Sequence, residues 1–573
     1  MHQLAPGAST LAPGGAPART PSSPPRVDDL DAPAGAAGRS AGGPAATTGG
    51  PTGPDGGRAG LRGRAGRLLR RTWPELAALA LAAGVFGWQA GTPSPWRDEG
   101  ATMVIAARPA GEILDLVRHL DLVHATYYFL VHVLLVVDRP AILGDAVPAV
   151  RTISVVAAAL AALVLVRVGR RLGSLQVGVA AALALVAAPL ASRYAQEARS
   201  YALVMLATTV SALLLLRATQ ARGPRVRRAW AWYAVSLGVV ALLNVIALLV
   251  LLAHAVYVRA FTARAVRRRW LVATAAGVGA VSPFVVATFL QRGQVDWLYA
   301  PSAAELPGFW AAQYDTLWLL VAVTAAAVLL VAWPGRPGRL DPRRRLSPAA
   351  AARLGSTNAR ALVLGLAWAV LPTVALWAVS QAEPLYTWRY VIFTLPGTAL
   401  VVGSLATALR PAGLVVPVLV LGLAGLHMQD VYRDPHLGHA EDMASVGEFV
   451  SAHAKKGDAV LWVPGGPGHM RTLQELYPDR YAGLVDVALD RTGAATATIT
   501  GTEKEPAQIA QAVKKRKRVW LISVNGALGT QADAVDREKV QLLLDGYRIK
   551  RVDIVHKFQV TLWERAAAPK KKA

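Results

Sequence analysis

Apolar runs dominate the chain between residues 76 and 427, and short polar, Arg-rich stretches punctuate them. A bilayer core of about 30 Å is crossed by about 20 predominantly apolar residues, so the runs read as membrane-spanning helices. They fall at about 76–90, 151–167, 174–191, 200–216, 229–243, 245–259, 270–290, 315–333, 361–380, 391–408 and 412–427, which predicts about eleven transmembrane helices. Positive charge gathers in the connections Arg167–Arg171, Arg217–Arg228, Arg259–Arg269 and Arg336–Arg360 and in the turn at Arg410. Basic loops stay in the cytoplasm. With all five on that side, the amino terminus is cytoplasmic and the stretches 95–150 and 436–566 lie outside.

One apolar run, Tyr127–Val137, must then be left out of the count. If it crossed, the cluster Arg167–Arg171 would lie outside and every later loop would invert. Segments 101–118 and 123–137 are therefore expected as two amphipathic helices lying along the outer membrane surface, with His119, His124 and His132 in or between them. The resulting transmembrane domain covers 73–430.

At both ends the pattern changes. Residues 1–72 are rich in Pro, Gly, Ala, Ser and Thr and hold almost no large apolar side chains, so they are expected as a disordered cytoplasmic tail. From 436 to 566, charged residues return around short β-rich runs, Ala459–Val463, Val485–Leu489, Val519–Val524 and Lys557–Trp563. Helical patterns at Ala444–Ala454 and Ala507–Lys514 lie between them, which predicts a small extracytoplasmic α/β domain. Its Pro464-Gly-Gly-Pro-Gly468 stretch lacks the spacing of a phosphate-binding loop, and Lys570–Lys572 reads as a frayed tail.

Composition supports this reading. The chain of 573 residues is 54% hydrophobic, above a soluble domain's usual share. Its net charge of +25 would suit nucleic acid on a soluble protein. Here the arginines sit between apolar spans, so anionic lipid explains them and no nucleic-acid partner is expected. No cysteine is present, which excludes disulfides and thiolate chemistry. No cleavable signal peptide is expected, because the first long apolar run starts only at residue 76. The plasma membrane is the expected location.

With that topology, chemistry gathers on the outer loops. Pro95-Trp-Arg-Asp-Glu-Gly100 follows the first span and places two adjacent carboxylates at its mouth. The same loop holds Asp121, His124 and Arg151, and a second reads Ser192-Arg-Tyr-Ala-Gln-Glu-Ala-Arg-Ser-Tyr201. Further loops carry Arg292, Asp296, Trp297 and Tyr299, and Gln381-Ala-Glu-Pro-Leu-Tyr-Thr-Trp-Arg-Tyr390. Carboxylates suit general-base work, arginines suit phosphate, and aromatic rings suit sugars or the interfacial belt. Each signal alone has a plain structural explanation: Arg193 and Arg199 could snorkel to headgroups, and Trp297 and Trp388 could be belt aromatics. Their convergence on one side is harder to explain structurally.

The layout resembles the membrane-embedded GT-C glycosyltransferases, especially family 39 protein mannosyltransferases and the related lipid A aminoarabinose transferases. Ala-, Gly-, Arg- and Pro-rich usage suggests an actinobacterial type. The matching pieces are Arg97-Asp98-Glu99, His124-Ala-Thr-Tyr-Tyr128, Arg151, Gln196-Glu-Ala-Arg-Ser-Tyr201 and Arg389-Tyr390 with Pro396. His124-Ala-Thr departs from the His-Pro-Pro of many relatives.

The resemblance implies transfer of a sugar, mannose by preference, from a polyprenyl-phosphate donor to a glycan, lipid or protein hydroxyl, with inversion. Asp98 would be the general base, and Glu99 would orient it or the acceptor. Arg199, Tyr201, Arg389 and Tyr390 would hold the donor phosphate. Arg97, His124, Tyr127, Arg151, Trp297 and Tyr386 would meet the sugar or acceptor. No cofactor is assigned. A divalent cation is compatible with the chemistry, but no tight His/Asp cluster has ligand spacing in the sequence, so no metal ligand is assigned. Two rival readings use the same surface: a flippase for a lipid-linked sugar, which should show internal repeats and mid-membrane polar residues, and a non-catalytic envelope assembly protein.

Overall fold

The computed structural model describes residues 72–137, 146–317, 321, 348–407, 416–464, 469–524 and 534–566. The tail expected at 1–72, apart from Thr72, most of the span at 315–333, Arg336 and the basic stretch to 347, the turn at Arg410, the start of the last span, the Gly-rich loop at 465–468 and Lys570–Lys572 lie outside the described residues.

The first part is helical and shuttles between two ends. Helix α1 (Thr72–Gly87) leads through a turn to α2 (Arg97–Ala106), α3 (Ala110–His119) and α4 (Ala125–Val137). Next come α5 (Ala146–Leu172), α6 (Leu175–Ala187), α7 (Pro189–Ala195), α8 (Tyr201–Gln220) and α9 (Arg225–Leu243). They are followed by α10 (Val250–Phe261), α11 (Arg264–Ala280), α12 (Ser282–Leu290), α13 (Glu305–Tyr314) and α14 (Pro348–Val379), then α15 (Leu395–Ala406), α16 (Val416–Ala424) and α17 (Leu426–Val431). Four of these are long and apolar enough to cross a membrane alone, and six if α6–α7 and α11–α12 each count as one bent span. The bends, 70° and 53°, fall where Pro189 and Pro283 cannot continue the preceding helix. The stretches Thr72–Gly87, Leu122–Val136, Val245–Phe261 and Ile392–Ala406 are apolar but shorter.

The two ends differ in chemistry. At one end Arg170 pairs with Glu75, and Gln220 donates to the Arg171 carbonyl, so the basic connections 167–171 and 217–228 meet there. At the other end Gln291, after α12, donates to the carbonyls of Val117 and Arg118 and accepts from the Leu122 N–H, joining the outer segments. Helices α5 and α6 meet closely through glycine: a Cβ on Gly169 would fall 2.3 Å from the Gly178 Cα, so only a residue without a side chain fits.

Two sequence expectations change here. The stretch 101–118 is two helices, α2 and α3, separated by Pro109, which cannot extend the first. Helix α4 is not amphipathic: Tyr127, Tyr128 and Val131 are buried, while the exposed positions Leu130, Val133 and Val136 are also apolar. An apolar exposed face suits hydrocarbon rather than the headgroup boundary.

Beyond Pro435 the chain forms an α/β/α sandwich. Its strands are β1 (Ala459–Val463), β2 (Val485–Asp486), β3 (Leu489–Arg491), β4 (Thr502–Glu503), β5 (Arg518–Val524), β6 (Tyr547–Val555) and β7 (Phe558–Arg565). The main sheet runs β2-β1-β5-β7-β6, with β1 parallel to β2 and β5, and β7 antiparallel to β5 and β6; β3 and β4 form a separate ribbon. One face packs Trp462, Trp520 and Phe558 against Met443, Val446 and Val450 of α18 (Met443–His453). The other packs Leu461, Leu521 and Trp563 against Ile509, Val513 and Leu543 from the two remaining long helices. The domain is docked on α2. Met443 Cε would lie 2.8 Å from a Cβ at Gly100, Ser94 and Pro435 share a 2.8 Å backbone hydrogen bond, and Arg108 donates to the carbonyls of Thr498 and Ile499.

Candidate active site

Asp98 stands in the first turn of α2, where the helix N-terminus favours a carboxylate. The Arg389 guanidinium lies 3.2 Å from Asp98 Oδ2, and that of Arg199 lies 3.9 Å from the same oxygen. Arg199 also donates to Thr102 Oγ1 at 3.1 Å and meets His124 Nε2 at 2.7 Å. For Nε2 to accept, His124 must carry its proton on Nδ1, which donates to Asp121 Oδ1 at 2.5 Å. The Tyr128 hydroxyl donates to the other Asp121 oxygen. Asp121 sits in the left-handed region, φ 63°, which Asp tolerates better than most residues. A chain of polar contacts thus runs Asp98–Arg199–His124–Asp121–Tyr128.

Arg389 forms the wall between this chain and a cleft of about 580 Å³. Its guanidinium carbon lies 5.5 Å from the Trp96 ring centre, 5.4 Å from Trp297 and 5.7 Å from Tyr390, so three aromatic faces hold the cation. Arg193, Glu197, Tyr299, Glu305, Tyr386 and Trp388 complete much of the lining. Trp388 is fixed by donating to Glu305 at 2.8 Å. Several buried polar atoms here have no hydrogen-bond partner among the described residues: both Glu197 oxygens, the hydroxyls of Tyr201 and Tyr386, and Nε of Arg199 and Arg389. Buried polar groups are normally paired, so a cluster of unpaired ones beside a cleft marks a place for a polar ligand.

Electrostatics separate the acids. Burial works to raise the Asp98 carboxyl, but Arg199 and Arg389, with smaller help from His469 and His124, outweigh it and hold it below the usual carboxylate range. Asp121 behaves alike: burial opposes, and His124 and Arg199 prevail. Glu197 goes the other way. Burial, reinforced by the charges of Glu99 and Asp98, pushes it up to about 7 despite Arg193 and Arg199.

The sequence-assigned residues divide into groups. Asp98, Arg199, Tyr201, Arg389, Tyr390, Trp297, Tyr386 and His124 converge at or behind the cleft. Glu99 and Arg151 do not face it. Arg151 is fully buried and donates to Glu99 Oε1 at 2.9 Å and Oε2 at 2.7 Å, and to the carbonyls of Ala90 and Pro93 at 3.0 and 2.7 Å. Glu99 Oε1 also accepts the Ala198 N–H at 2.6 Å. Arg97 turns toward the α/β domain and pairs with Glu441 at 2.9 Å. Tyr127 is buried in the packing between α4 and α5. Residues not assigned from sequence complete the site: Glu197, within the quoted Gln196–Tyr201 motif; Asp121, whose signal was its place three residues before His124; and His469 of the α/β domain, which no local pattern marks. No three metal-ligating side chains converge in the cleft among the described residues.

No protein-family model matches the sequence, and neither does any curated protein. Solved structures do. ArnT from Cupriavidus metallidurans in the apo state is similar over 85% of this chain and 97% of its own, with TM-score 0.56 and 12% identity. The same protein bound to undecaprenyl phosphate gives 0.55 and 13% over the same shares. The oligosaccharyltransferase of Archaeoglobus fulgidus, in a complex with zinc and sulfate, matches at TM-score 0.42 and 10% identity over 79% of this chain and 68% of its own. The ArnT likeness establishes the fold: a GT-C arrangement of membrane helices followed by a sheet-containing domain.

Proposed function

We propose that this protein is a membrane glycosyltransferase that moves a sugar from a polyprenyl-phosphate donor to an acceptor hydroxyl, with Asp98 taking the proton. The observation that carries the proposal is the Asp98 carboxylate placed between Arg199 and Arg389, at 3.9 and 3.2 Å, directly behind the Arg389 wall of an aromatic cleft. The fold is shared with a protein whose structure holds undecaprenyl phosphate, a ligand of the class the two arginines suit.

In this reading the donor phosphate enters against Arg199 and Arg389, and the sugar lies over Trp297 and near Tyr386. The unpaired hydroxyls of Tyr201 and Tyr386 and the Arg389 Nε are the free groups available to it. The phosphate competes with Asp98 for the same two cations. Donor binding therefore draws positive charge away from Asp98 and raises its basicity when a base is needed. The acceptor oxygen attacks the anomeric carbon opposite the phosphate, and its proton passes to Asp98. The bond from the anomeric carbon to the phosphate oxygen breaks, and its electron pair leaves with the lipid phosphate. One direct displacement inverts the anomeric centre.

Mannose follows from the family resemblance; the cleft itself offers stacking and hydrogen bonding to a sugar ring. Glu99 and Arg151 act as a strut beneath the site, and Arg97 acts as a tether to the α/β domain. In this reading the site and that domain face outward, because the basic connections 167–171 and 217–228 meet at the opposite end. In this cysteine-free chain, Ser451→Cys should react with an impermeant thiol reagent on intact cells, and Arg222→Cys should not.

The test is transfer. Membranes carrying wild-type protein or Asp98→Asn are incubated with labelled polyprenyl-phosphate sugars, and donor binding is measured separately. Wild type should move one label. Asp98→Asn should bind that donor yet turn over about 10²–10⁴-fold more slowly. Near wild-type transfer by Asp98→Asn overturns the assignment.

A further inference from the structure

Away from the cleft, three residues that are remote in sequence meet where the last membrane helix hands over to the α/β domain. His436 lies in the linker after α17, Asp442 is the N-cap of α18, and His556 sits at the turn between β6 and β7. We propose that His436, Asp442 and His556 form a binding site for a divalent transition metal of the zinc class.

The geometry carries the proposal. Asp442 Oδ2 lies 2.5 Å from His436 Nδ1 and 3.7 Å from His556 Nε2, and one ligand atom from each residue falls within 4.8 Å of the others. The two imidazole rings are stacked, 4.7 Å apart and 5° from parallel, so the nitrogens approach the carboxylate from one side. A single proton can bridge only one of the two His–Asp contacts. Protonating both rings would set two cations face to face. A metal ion between the three atoms satisfies both nitrogens in their neutral form and the carboxylate together.

The ligand set decides the metal class. Two imidazoles and one carboxylate suit zinc and its neighbours, whereas magnesium and calcium take oxygen ligands. With bonds of about 2.0–2.2 Å, ligand atoms on a tetrahedral ion stand roughly 3.4 Å apart. The present separations, 2.5 and 3.7 Å from the carboxylate oxygen, bracket that spacing.

The supporting groups are in place. The other Asp442 oxygen accepts the Ser445 N–H at 2.9 Å, which fixes the carboxylate, and the Asp442 side chain is only 1% exposed. Asp434 accepts the N–H groups of His436 and Leu437, each at 2.8 Å, which fixes the linker. Ser445 Oγ, 3.4 Å from His436 Nδ1, or a water molecule can supply the fourth ligand, because both His side chains are open to solvent.

The site would staple the β6–β7 turn to the linker, one residue from Glu441, which holds Arg97 beside Asp98. It would stiffen the joint through which the α/β domain supports the cleft.

The experiment uses the full chain in lipid nanodiscs, purified without a polyhistidine tag and stripped with chelator. Zinc is titrated calorimetrically and in competition with a chromophoric chelator, and cobalt is titrated by visible absorption. Wild type should take up one equivalent. His556→Ala and Asp442→Asn should each weaken binding about 100-fold, while His453→Ala, outside the cluster, should not. Asn is as good an N-cap as Asp, so Asp442→Asn keeps α18, and thermal unfolding without metal checks this. Absence of a stoichiometric site, or a loss under ten-fold in either variant, overturns the proposal and leaves the cluster as a His–Asp ion pair.

Discussion

Asp98 and Glu99 are neighbours in the chain, yet their carboxylates end in two different kinds of cluster. Glu99 meets Arg151 through two short contacts, 2.9 and 2.7 Å, and three of the Arg151 nitrogens all find acceptors. Asp98 meets two arginines through one oxygen at 3.2 and 3.9 Å, and the Nε of each arginine has no partner among the described residues. Both are carboxylate–guanidinium groups, but the Glu99–Arg151 pair is fully buried and complete, whereas Asp98 and Arg389 are 24% and 16% exposed and incompletely paired. A fully satisfied network is a rigid support, while a half-satisfied one beside a cleft awaits a ligand.

The comparison breaks first at the strut. Arg151→Ala leaves the Glu99 carboxylate buried without its cation, which costs about 3–5 kcal/mol. Thermal unfolding in lipid nanodiscs should show a large loss of stability. A variant as stable as wild type would mean that Glu99–Arg151 is no strut. The loose cluster should respond in binding instead. Arg199→Ala and Arg389→Ala should each lower affinity for a polyprenyl-phosphate sugar by about 1.5–3 kcal/mol, or ten- to a hundred-fold, in equilibrium binding. Lys should restore part of the loss at Arg389, where three aromatic rings hold a cation, and less at Arg199, whose two terminal nitrogens have separate partners. Unchanged affinity in both Ala variants would make these residues interfacial anchors.

The smallest effect sharpens the contrast through pH. Burial raises the Glu197 carboxyl to about 7, above its ordinary value near 4.5. The unfolded chain therefore releases this proton first. The contribution of Glu197 to stability is intact below about pH 4.5 and is lost as pH rises through about 7. Glu197→Gln removes this slope and should be more stable than wild type at pH 8, by on the order of 1 kcal/mol. Parallel stability–pH curves for the two proteins between pH 4.5 and 8 would count against a buried Glu197 carboxyl without hydrogen bonds.

Much of this was legible in the sequence because it is periodic or local. Apolar length marked the helices, and the arginine-rich stretches 167–171 and 217–228 do meet at one end. The residue motifs supplied Asp98, Arg199 and Arg389, which do meet. The division of labour between Asp98 and Glu99 was not legible, because it depends on which arginine each side chain reaches, across 52 residues for Glu99 and 291 for Asp98. His469 was hidden for the same reason. Strand β6 was missed because Arg548, Lys550, Arg551 and Asp553 interrupt its apolar alternation; it is an edge strand, where charge blocks unwanted pairing.

The carboxyl end of α1 is closed by side chains made much later. Arg433 donates to the carbonyls of Val85 and Trp88 at 2.8 and 3.1 Å, and Gln196 donates to those of Phe86 and Trp88 at 2.9 and 2.8 Å. During biosynthesis the Phe86 and Trp88 carbonyls therefore wait for Gln196, and the Val85 carbonyl waits for Arg433, beyond α17. The turn that presents Asp98 hangs from that same helix end. A nascent or truncated chain lacking Arg433 would carry every residue of the Asp98–Arg199–Arg389 cluster with the helix end above it held by Gln196 alone.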